Sequence, residues 1–205
     1  MNALKTTLAA SLAAALAAGC GSSPQEVEEP EPAEPVVDPT FEEPDEDPHA
    51  GDLDGEPLTA TAVMEARSGS DVEGEITLTE VDEGVHLAGE ITGLEPGMRG
   101  FHVHEHGDCS ADDAMSAGDH FNPKDAPHGG PHDDEHHVGD LGNVEVDEDG
   151  VAQIDETFEF LTLIEGEQNS IAGRALVVHA EQDDLESQPA GDAGARVGCG
   201  VIELD

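Results

Sequence analysis

Short runs of alternating hydrophobic and polar residues begin near Thr59 and recur to the end of the chain. In the first run every second residue from position 60 to position 66 is apolar, and similar runs cover positions 76–78 and 85–91. Clusters of Gly, Ser, Asp and Pro separate these runs. A period of two with closely spaced turn residues predicts antiparallel β-strands, and several such strands predict an all-β sandwich or barrel.

Further apolar segments predict the later strands of this domain at positions 141–146, 158–161, 175–178 and 198–204. The stretch from Glu105 to Asp140 has almost no strand pattern. A loop of that length inside a compact domain is usually functional. We therefore expect the chemistry of the protein to lie there.

The first 57 residues follow other patterns. Lys5 precedes an apolar stretch, positions 8–18, that is too short to span a bilayer, so residues 1–19 are predicted to be an export signal. The signal ends in Leu-Ala-Ala-Gly-Cys, which resembles the lipobox of bacterial lipoproteins and predicts a lipid on Cys20. An ordinary signal peptide, cut nearby and leaving a free thiol, is the alternative.

Residues 20–57 alternate Pro with Glu and Asp and contain few apolar side chains. Such a segment cannot bury enough surface to offset its chain entropy, so it is predicted to be a disordered acidic tether in which His49 is incidental. The folded domain is then expected at residues 58–205.

Acidic residues dominate the composition, with 49 Asp and Glu against 6 Lys and Arg. Such an imbalance is typical either of disorder or of a folded domain with a solvated acidic surface, and the strand pattern favours the second for residues 58–205. It argues against nucleic acid as a partner, because phosphate binding needs clustered cations. Membrane contact is expected only through the N-terminal lipid, and a homodimer remains possible.

Cysteine count adds one constraint. Three cysteines in an exported protein leave one unpaired. If Cys20 carries lipid, Cys109 and Cys199 remain, and an oxidising compartment permits them to bond.

Histidines are placed as metal ligands would be. His102 and His104 alternate along a strand and therefore share one face, although two solvated histidines on an outer face would show the same spacing. His179 ends a later apolar run and would complete a nitrogen-rich set of the kind that copper favours.

A second set of possible ligands lies in and just after the long loop. It comprises His120, His128, His137 and Asp140. Three imidazoles and one carboxylate suit tetrahedral zinc. Gly and Pro between them favour a loop that folds back on itself.

Several segments, taken together, closely resemble the copper/zinc superoxide dismutases. They are Gly-Phe-His-Val-His-Glu at 100–105, Ser-Ala-Gly at 116–118, His-Phe-Asn-Pro at 120–123, His-Gly-Gly-Pro at 128–131, His-Val-Gly-Asp-Leu-Gly-Asn at 137–143 and Gly-Ala-Arg-Val-Gly-Cys-Gly-Val-Ile at 194–202. The resemblance extends from about Thr59 to Leu204. It implies a Greek-key antiparallel β-sandwich or barrel of immunoglobulin-like architecture, with long metal-binding and substrate-channel loops. It also implies dismutation of superoxide to oxygen and hydrogen peroxide through a Cu(II)/Cu(I) cycle, with one copper and one zinc ion.

The resemblance assigns ligands residue by residue. The positions that match the copper ligands are His102, His104, His120 and His179. The positions that match the zinc ligands are His120, His128, His137 and Asp140. His120 belongs to both sets because one imidazolate bridges the two metals in this family.

Other roles follow from the same resemblance. Arg196 matches the guanidinium that positions superoxide, so it and His120, which can pass on a proton, are the expected catalytic residues. Asp183 matches a carboxylate that links a copper histidine to a zinc histidine. Cys109 and Cys199 match the family's intrachain disulfide.

Some positions depart from the family pattern. Asp119 stands where a small residue or Pro is more familiar, and no Lys lies between His179 and Arg196. An acidic domain of this kind is expected to repel superoxide at long range and to be slow at low salt. The unmatched histidines are expected to be exposed, with accessory metal capture as the alternative; they are His106, His132 and His136.

The exported enzyme is expected to be lipid-anchored on the periplasmic or surface side of the cell envelope and to protect that envelope from oxidative damage. Two other function classes remain open, a copper-binding protein without activity and a structural acidic surface domain. Metal analysis paired with a dismutation assay separates the three.

Overall fold

A computed structural model describes residues 56–205, which form a closed barrel of antiparallel strands. The strands are β1 (Thr59–Ala66), β2 (Glu73–Val81), β3 (Gly84–Thr92), β4 (Gly97–His104), β5 (Asp140–Val146), β6 (Ala152–Phe158), β7 (Ala175–His179) and β8 (Arg196–Leu204). Within this range one short 3-10 helix, Met115–Ala117, lies between β4 and β5. The predicted all-β class is confirmed.

Strand order shows how the chain closes on itself. The order around the barrel is β1-β2-β3-β6-β5-β4-β7-β8, and β8 pairs with β1. Because β3 lies beside β6 rather than beside β4, the spatial order β3-β6-β5-β4 is a Greek key. Seven of the eight neighbouring pairs are joined along several residues, whereas β5 and β6 pair only at Val146 and Ala152.

Two details of the strand prediction are wrong. The predicted strand at 158–161 begins at the last residue of β6, and the chain turns after Phe158. Within β6 only Ala152, Ile154 and Phe158 are buried, and four polar residues hide this alternation, whereas the apolar run that drew the prediction packs Leu161 into the turn. At the end of β1, Ala66 is exposed rather than buried.

Strand β4 separates the hydrophobic core from the chemistry. Phe101 and Val103 are buried in the main core cluster. His102 and His104 alternate with them and are also fully buried, at 0% exposure, so solvated histidines on an outer face are excluded. The long segment between β4 and β5 contacts β4 through backbone bonds and helps to enclose these two rings.

A disulfide ties the long segment to the barrel. Cys109 is bonded to Cys199 on β8, with a Cα–Cα distance of 5.8 Å. Arg67, just after β1, donates from Nε to the Cys109 carbonyl at 2.7 Å. The start of the segment is therefore held at two points.

The predicted signal and nearly all of the predicted tether, including Cys20 and His49, lie outside the described residues. Within residues 56–205 no helix is long and apolar enough to cross a membrane.

Candidate metal centre

Four imidazoles converge beside β4, and one ring nitrogen from each lies within 4.8 Å of the others. The four are His102, His104, His120 and His179. His102 and His104 come from β4, and His179 ends the neighbouring β7. A backbone bridge to His104 brings in His120 from the long segment. The structure thus brings together the four positions matched to copper.

Each of the three strand histidines has one nitrogen held by the protein and one without a partner. His102 Nε2 donates to Asp183 Oδ2 at 2.7 Å, and Nδ1 of His104 and of His179 donates to a backbone carbonyl at 2.9 and 3.3 Å. The remaining nitrogens, His102 Nδ1, His104 Nε2 and His179 Nε2, are buried without a hydrogen-bond partner. An unsatisfied buried polar atom costs about 1–3 kcal/mol. Nitrogens grouped in this way fit a shared metal ion, and an all-nitrogen set suits copper.

A second group contains the residues matched to zinc, His120, His128, His137 and Asp140, again within 4.8 Å of one another. Asp140 Oδ1 lies 2.7 Å from His120 Nδ1 and 3.2 Å from His137 Nδ1. Its Oδ2 lies 3.0 Å from His128 Nδ1. Three imidazoles and one carboxylate fit the tetrahedral coordination of zinc.

His120 belongs to both groups. Its Nδ1 faces Asp140 in the second group, and its Nε2 is buried without a hydrogen-bond partner. One ring therefore offers a nitrogen to each site, as a bridging imidazolate requires.

Backbone contacts at Gly139 bring these segments together. Val103 N donates to the Gly139 carbonyl, Gly139 N donates to the Phe121 carbonyl, and Phe121 N donates to the Val103 carbonyl, at 2.8–2.9 Å. A Cβ at position 139 would lie 2.1 Å from the Val103 carbonyl oxygen. Only glycine allows this approach, which places His120 and Asp140 beside β4.

Asp183 connects the two groups from outside. Its Oδ2 accepts from His102 Nε2 at 2.7 Å and its Oδ1 accepts from His128 Nε2 at 3.0 Å. Burial raises the pKa of this fully buried carboxyl, but the hydrogen bonds from both histidines outweigh burial and hold the pKa below its ordinary value. An ionised Asp183 therefore fixes one ring in each group.

Burial sets the charge state of the strand histidines. It lowers the pKa of His102 to about 4 and holds the pKa of His104 and of His179 well below the ordinary value. These rings are consequently neutral at neutral pH, which is the form that binds metal.

In the second group the neighbouring charged side chains outweigh burial in setting the pKa values. Burial alone would lower the pKa of His128, but the nearby Asp140 carboxylate and the hydrogen bond with Asp183 raise that pKa to about 9. Burial also opposes ionisation of Asp140, yet the hydrogen bond from His120 and the close rings of His128 and His137 hold its pKa far below the usual range. A metal that binds here would displace a proton from His128.

A cavity of about 290 Å³ opens beside the ring of His120. Its lining includes His120, His137 and Arg196, the last at the start of β8. The half-buried guanidinium donates from Nη1 to the Ala114 carbonyl at 2.9 Å, which fixes its direction. Three larger concavities elsewhere on the barrel contain no histidine.

The unmatched histidines have separate environments. His106 and His132 are exposed, as expected. The expected exposure of His136 is wrong, because its ring packs against Phe160 with 4.6 Å between centroids and its Nδ1 donates to the His137 carbonyl at 2.6 Å. Within residues 56–205 none of the three joins a group of metal-ligating side chains.

Two supporting residues escaped the sequence analysis. Gln188 holds the His128 backbone, since Oε1 accepts from its N–H at 2.8 Å and Nε2 donates to its carbonyl at 2.9 Å. Gly191 has a φ of 64°, and a Cβ there would lie 1.7 Å from Asp183 Oδ1. No local motif identifies either residue. Gln188 acts through His128, in the segment between β4 and β5, and Gly191 through its close approach to Asp183.

The chain was compared with known proteins. A family model described as copper/zinc superoxide dismutase matches residues 72–202. The extracellular copper/zinc superoxide dismutase of Brugia pahangi is 44% identical over 155 residues, which cover 71% of this chain and 76% of that protein. Copper/zinc superoxide dismutase 2 of Mesembryanthemum crystallinum is 45% identical over 150 residues, covering 70% and 94%. The solved structure of the clock protein EA4 matches with a TM-score of 0.65 at 44% identity, covering 73% of this chain and 96% of that one.

Proposed function

The chain belongs to the copper/zinc superoxide dismutase family, and from that premise we propose which of its residues carry the activity. It is a superoxide dismutase that binds one copper and one zinc ion. The proposed copper ligands are His102, His104, His120 and His179. The proposed zinc ligands are His120, His128, His137 and Asp140. The observation that supports this assignment is that six buried imidazole nitrogens, one from each of these histidines, lack a hydrogen-bond partner.

The remaining steps are assigned to two side chains that line the cavity. Bound copper supplies the one-electron couple by which one superoxide is oxidised to oxygen and a second is reduced to hydrogen peroxide. Arg196 attracts the anion and holds it by charge-assisted hydrogen bonds, with its guanidinium directed by the Ala114 carbonyl. Reduction of superoxide consumes two protons, and both would come from solvent, one of them taken up by His120 Nε2 and passed on to the product.

The location of the enzyme is also a proposal. We infer export with cleavage of residues 1–19, because the disulfide requires an oxidising compartment and one relative is extracellular. A lipid on Cys20, a tether to residue 57 and protection of the cell envelope complete this proposal. The named relatives come from a nematode and a plant, so the lipid rests on residues 16–20 alone. Mass spectrometry of the mature N-terminus tests it, and an unacylated Cys20 would contradict it.

The ligand assignment is tested by replacing each of two adjacent histidines in turn. His137→Asn is expected to lose most of its bound zinc, whereas His136→Asn, one position away and against Phe160, is expected to keep one copper and one zinc. Elemental analysis gives the metal content, and a superoxide dismutation assay on the same samples gives the activity. Loss of zinc from the His136 variant alone would overturn the assignment. Copper and zinc without activity would favour a metal-binding protein that is not an enzyme.

We infer no particular oligomeric state beyond the possible homodimer. Sedimentation equilibrium of the mature protein decides between monomer and dimer.

A further inference from the structure

The cavity beside His120 has an unusual charge for a protein that must admit an anion. Three carboxylates line it, Glu105, Asp119 and Asp125, against the single guanidinium of Arg196. A guanidinium that faces carboxylates has part of its field cancelled before any substrate arrives.

Two of the residues that carry these carboxylates are joined through their backbones. Glu105 N donates to the Asp119 carbonyl at 3.0 Å, next to the bridge between His104 and His120. The two side chains differ in the basic residues near them. Glu105 Oε1 lies 3.2 Å from His106 Nε2, and the Glu105 charge also acts on Arg174.

The carboxylate of Asp119 has no basic side chain beside it. Within residues 56–205 no Lys, Arg or His nitrogen lies within 4 Å of its carboxylate. It does act on Arg196: burial lowers the pKa of that guanidinium, and the charges of Asp119 and then Asp113 oppose the shift. Of these two, only Asp119 also lines the cavity.

We propose that Asp119 limits the capture of superoxide because its negative charge, in the same cavity, offsets part of the positive charge of Arg196. This inference rests on the proposed role of Arg196. Asp119 is the residue before His120, and its backbone carbonyl accepts from Glu105 N at 3.0 Å, so its charge stays beside the cavity when an anion enters. Dissolved salt screens it, and the enzyme therefore speeds up as ionic strength rises.

Charge removal at Asp119 tests this inference, with Glu148→Gln as the matched control. Glu148 is exposed in the turn between β5 and β6, at the opposite end of β5 from Asp140, and its variant also removes one negative charge. The full mature chain, loaded with copper and zinc, is used for wild type, Asp119→Asn and Glu148→Gln. Two quantities are measured: kcat/KM for dismutation, and the Kd of azide, a small monoanion, by absorbance titration of the copper form.

At an ionic strength of about 10 mM, Asp119→Asn is expected to raise kcat/KM and tighten azide binding by about threefold to tenfold, because the Debye length there is about 30 Å. At about 1 M the Debye length is about 3 Å and the advantage should fall below about twofold. Glu148→Gln should stay within about 1.5-fold of wild type throughout, because its charge lies at the far end of the barrel.

Equal behaviour of the two variants at low salt would overturn the inference. Loss of copper or zinc from Asp119→Asn would overturn it as well, since the residue would then act on the metal site. If wild-type protein holds both metals but does not dismutate superoxide, the proposed function fails instead, and the azide titration alone decides the role of Asp119.

Discussion

Asp183→Asn tests how one buried carboxylate supports two metal sites. The carboxylate accepts one N–H from His102 and one from His128, through different oxygens. Asparagine keeps the shape but has a single acceptor oxygen, so its amide N–H₂ must face one of the two ring N–H groups. A lost hydrogen bond to a charged buried group costs about 1.5–3 kcal/mol.

The zinc site should be affected more strongly. His102 lies on β4, whose position is fixed by pairing with β5 and β7. His128 lies in an irregular segment, where Asp183 and Gln188 provide its contacts with the loop between β7 and β8. We therefore expect zinc affinity to fall by about 10–100-fold, which corresponds to about 1.4–2.8 kcal/mol, and copper affinity to fall less.

Competition with a chromophoric zinc chelator at neutral pH measures this change. Asp184→Asn is the matched control, because it removes the same charge from the next residue, whose carboxylate is exposed and bonds only within its own turn. That control should remain within about threefold of wild type, as expected for an exposed charge without a ligand contact. A zinc affinity of Asp183→Asn within about twofold of wild type would refute the reasoning.

Three further predictions concern substrate binding and stability. Arg196→Gln should lower kcat/KM for superoxide by about 10–100-fold, and Arg196→Lys, which keeps the charge but not the paired donors, by less; equal losses would argue against a role for charge. Gly139→Ala should lower the free energy of unfolding of metal-free protein by about 3 kcal/mol or more, measured in urea, because the new Cβ would meet the Val103 carbonyl; an unchanged midpoint would contradict the close approach. Replacing Cys109 and Cys199 together by Ala should lower that free energy by about 4–5 kcal/mol, since the disulfide closes a separation of 90 residues, and a loss below about 1 kcal/mol would contradict the loop-entropy account.

Most of the proposed metal ligands could be identified from the sequence because they occur in short local motifs. His102 and His104 alternate on one strand, and the zinc ligands fall within 21 residues of one another, from His120 to Asp140. A ligand set must also supply specific atom types, so residue identity alone carries much of the information. The barrel was predictable in class for a similar reason, since the alternation in β1, β2 and β3 is regular.

Contacts between distant segments were harder to predict. The position of β6 was missed because only three of its seven residues face the core, while the richer apolar run lies in the following turn. The burial of His136 depends on Phe160, which lies 24 residues later. Gln188 and Gly191 matter through contacts with His128 and Asp183 that no periodicity encodes.

The sequence also could not predict which ring nitrogen of each histidine is free to bind a metal. It depends on which nitrogen the surrounding backbone and carboxylate atoms already hold, as with His102 Nε2 on Asp183. This assignment requires the folded structure.

Anomalous diffraction from crystals of the metal-loaded protein, collected on both sides of the copper and zinc absorption edges, tests the central claim most directly. The account predicts one copper about 2 Å from His102 Nδ1, His104 Nε2, His120 Nε2 and His179 Nε2. It predicts one zinc at a similar distance from His120 Nδ1, with His128, His137 and Asp140 as its other ligands. Copper bound elsewhere, or a His120 ring that contacts only one of the two ions, would contradict it.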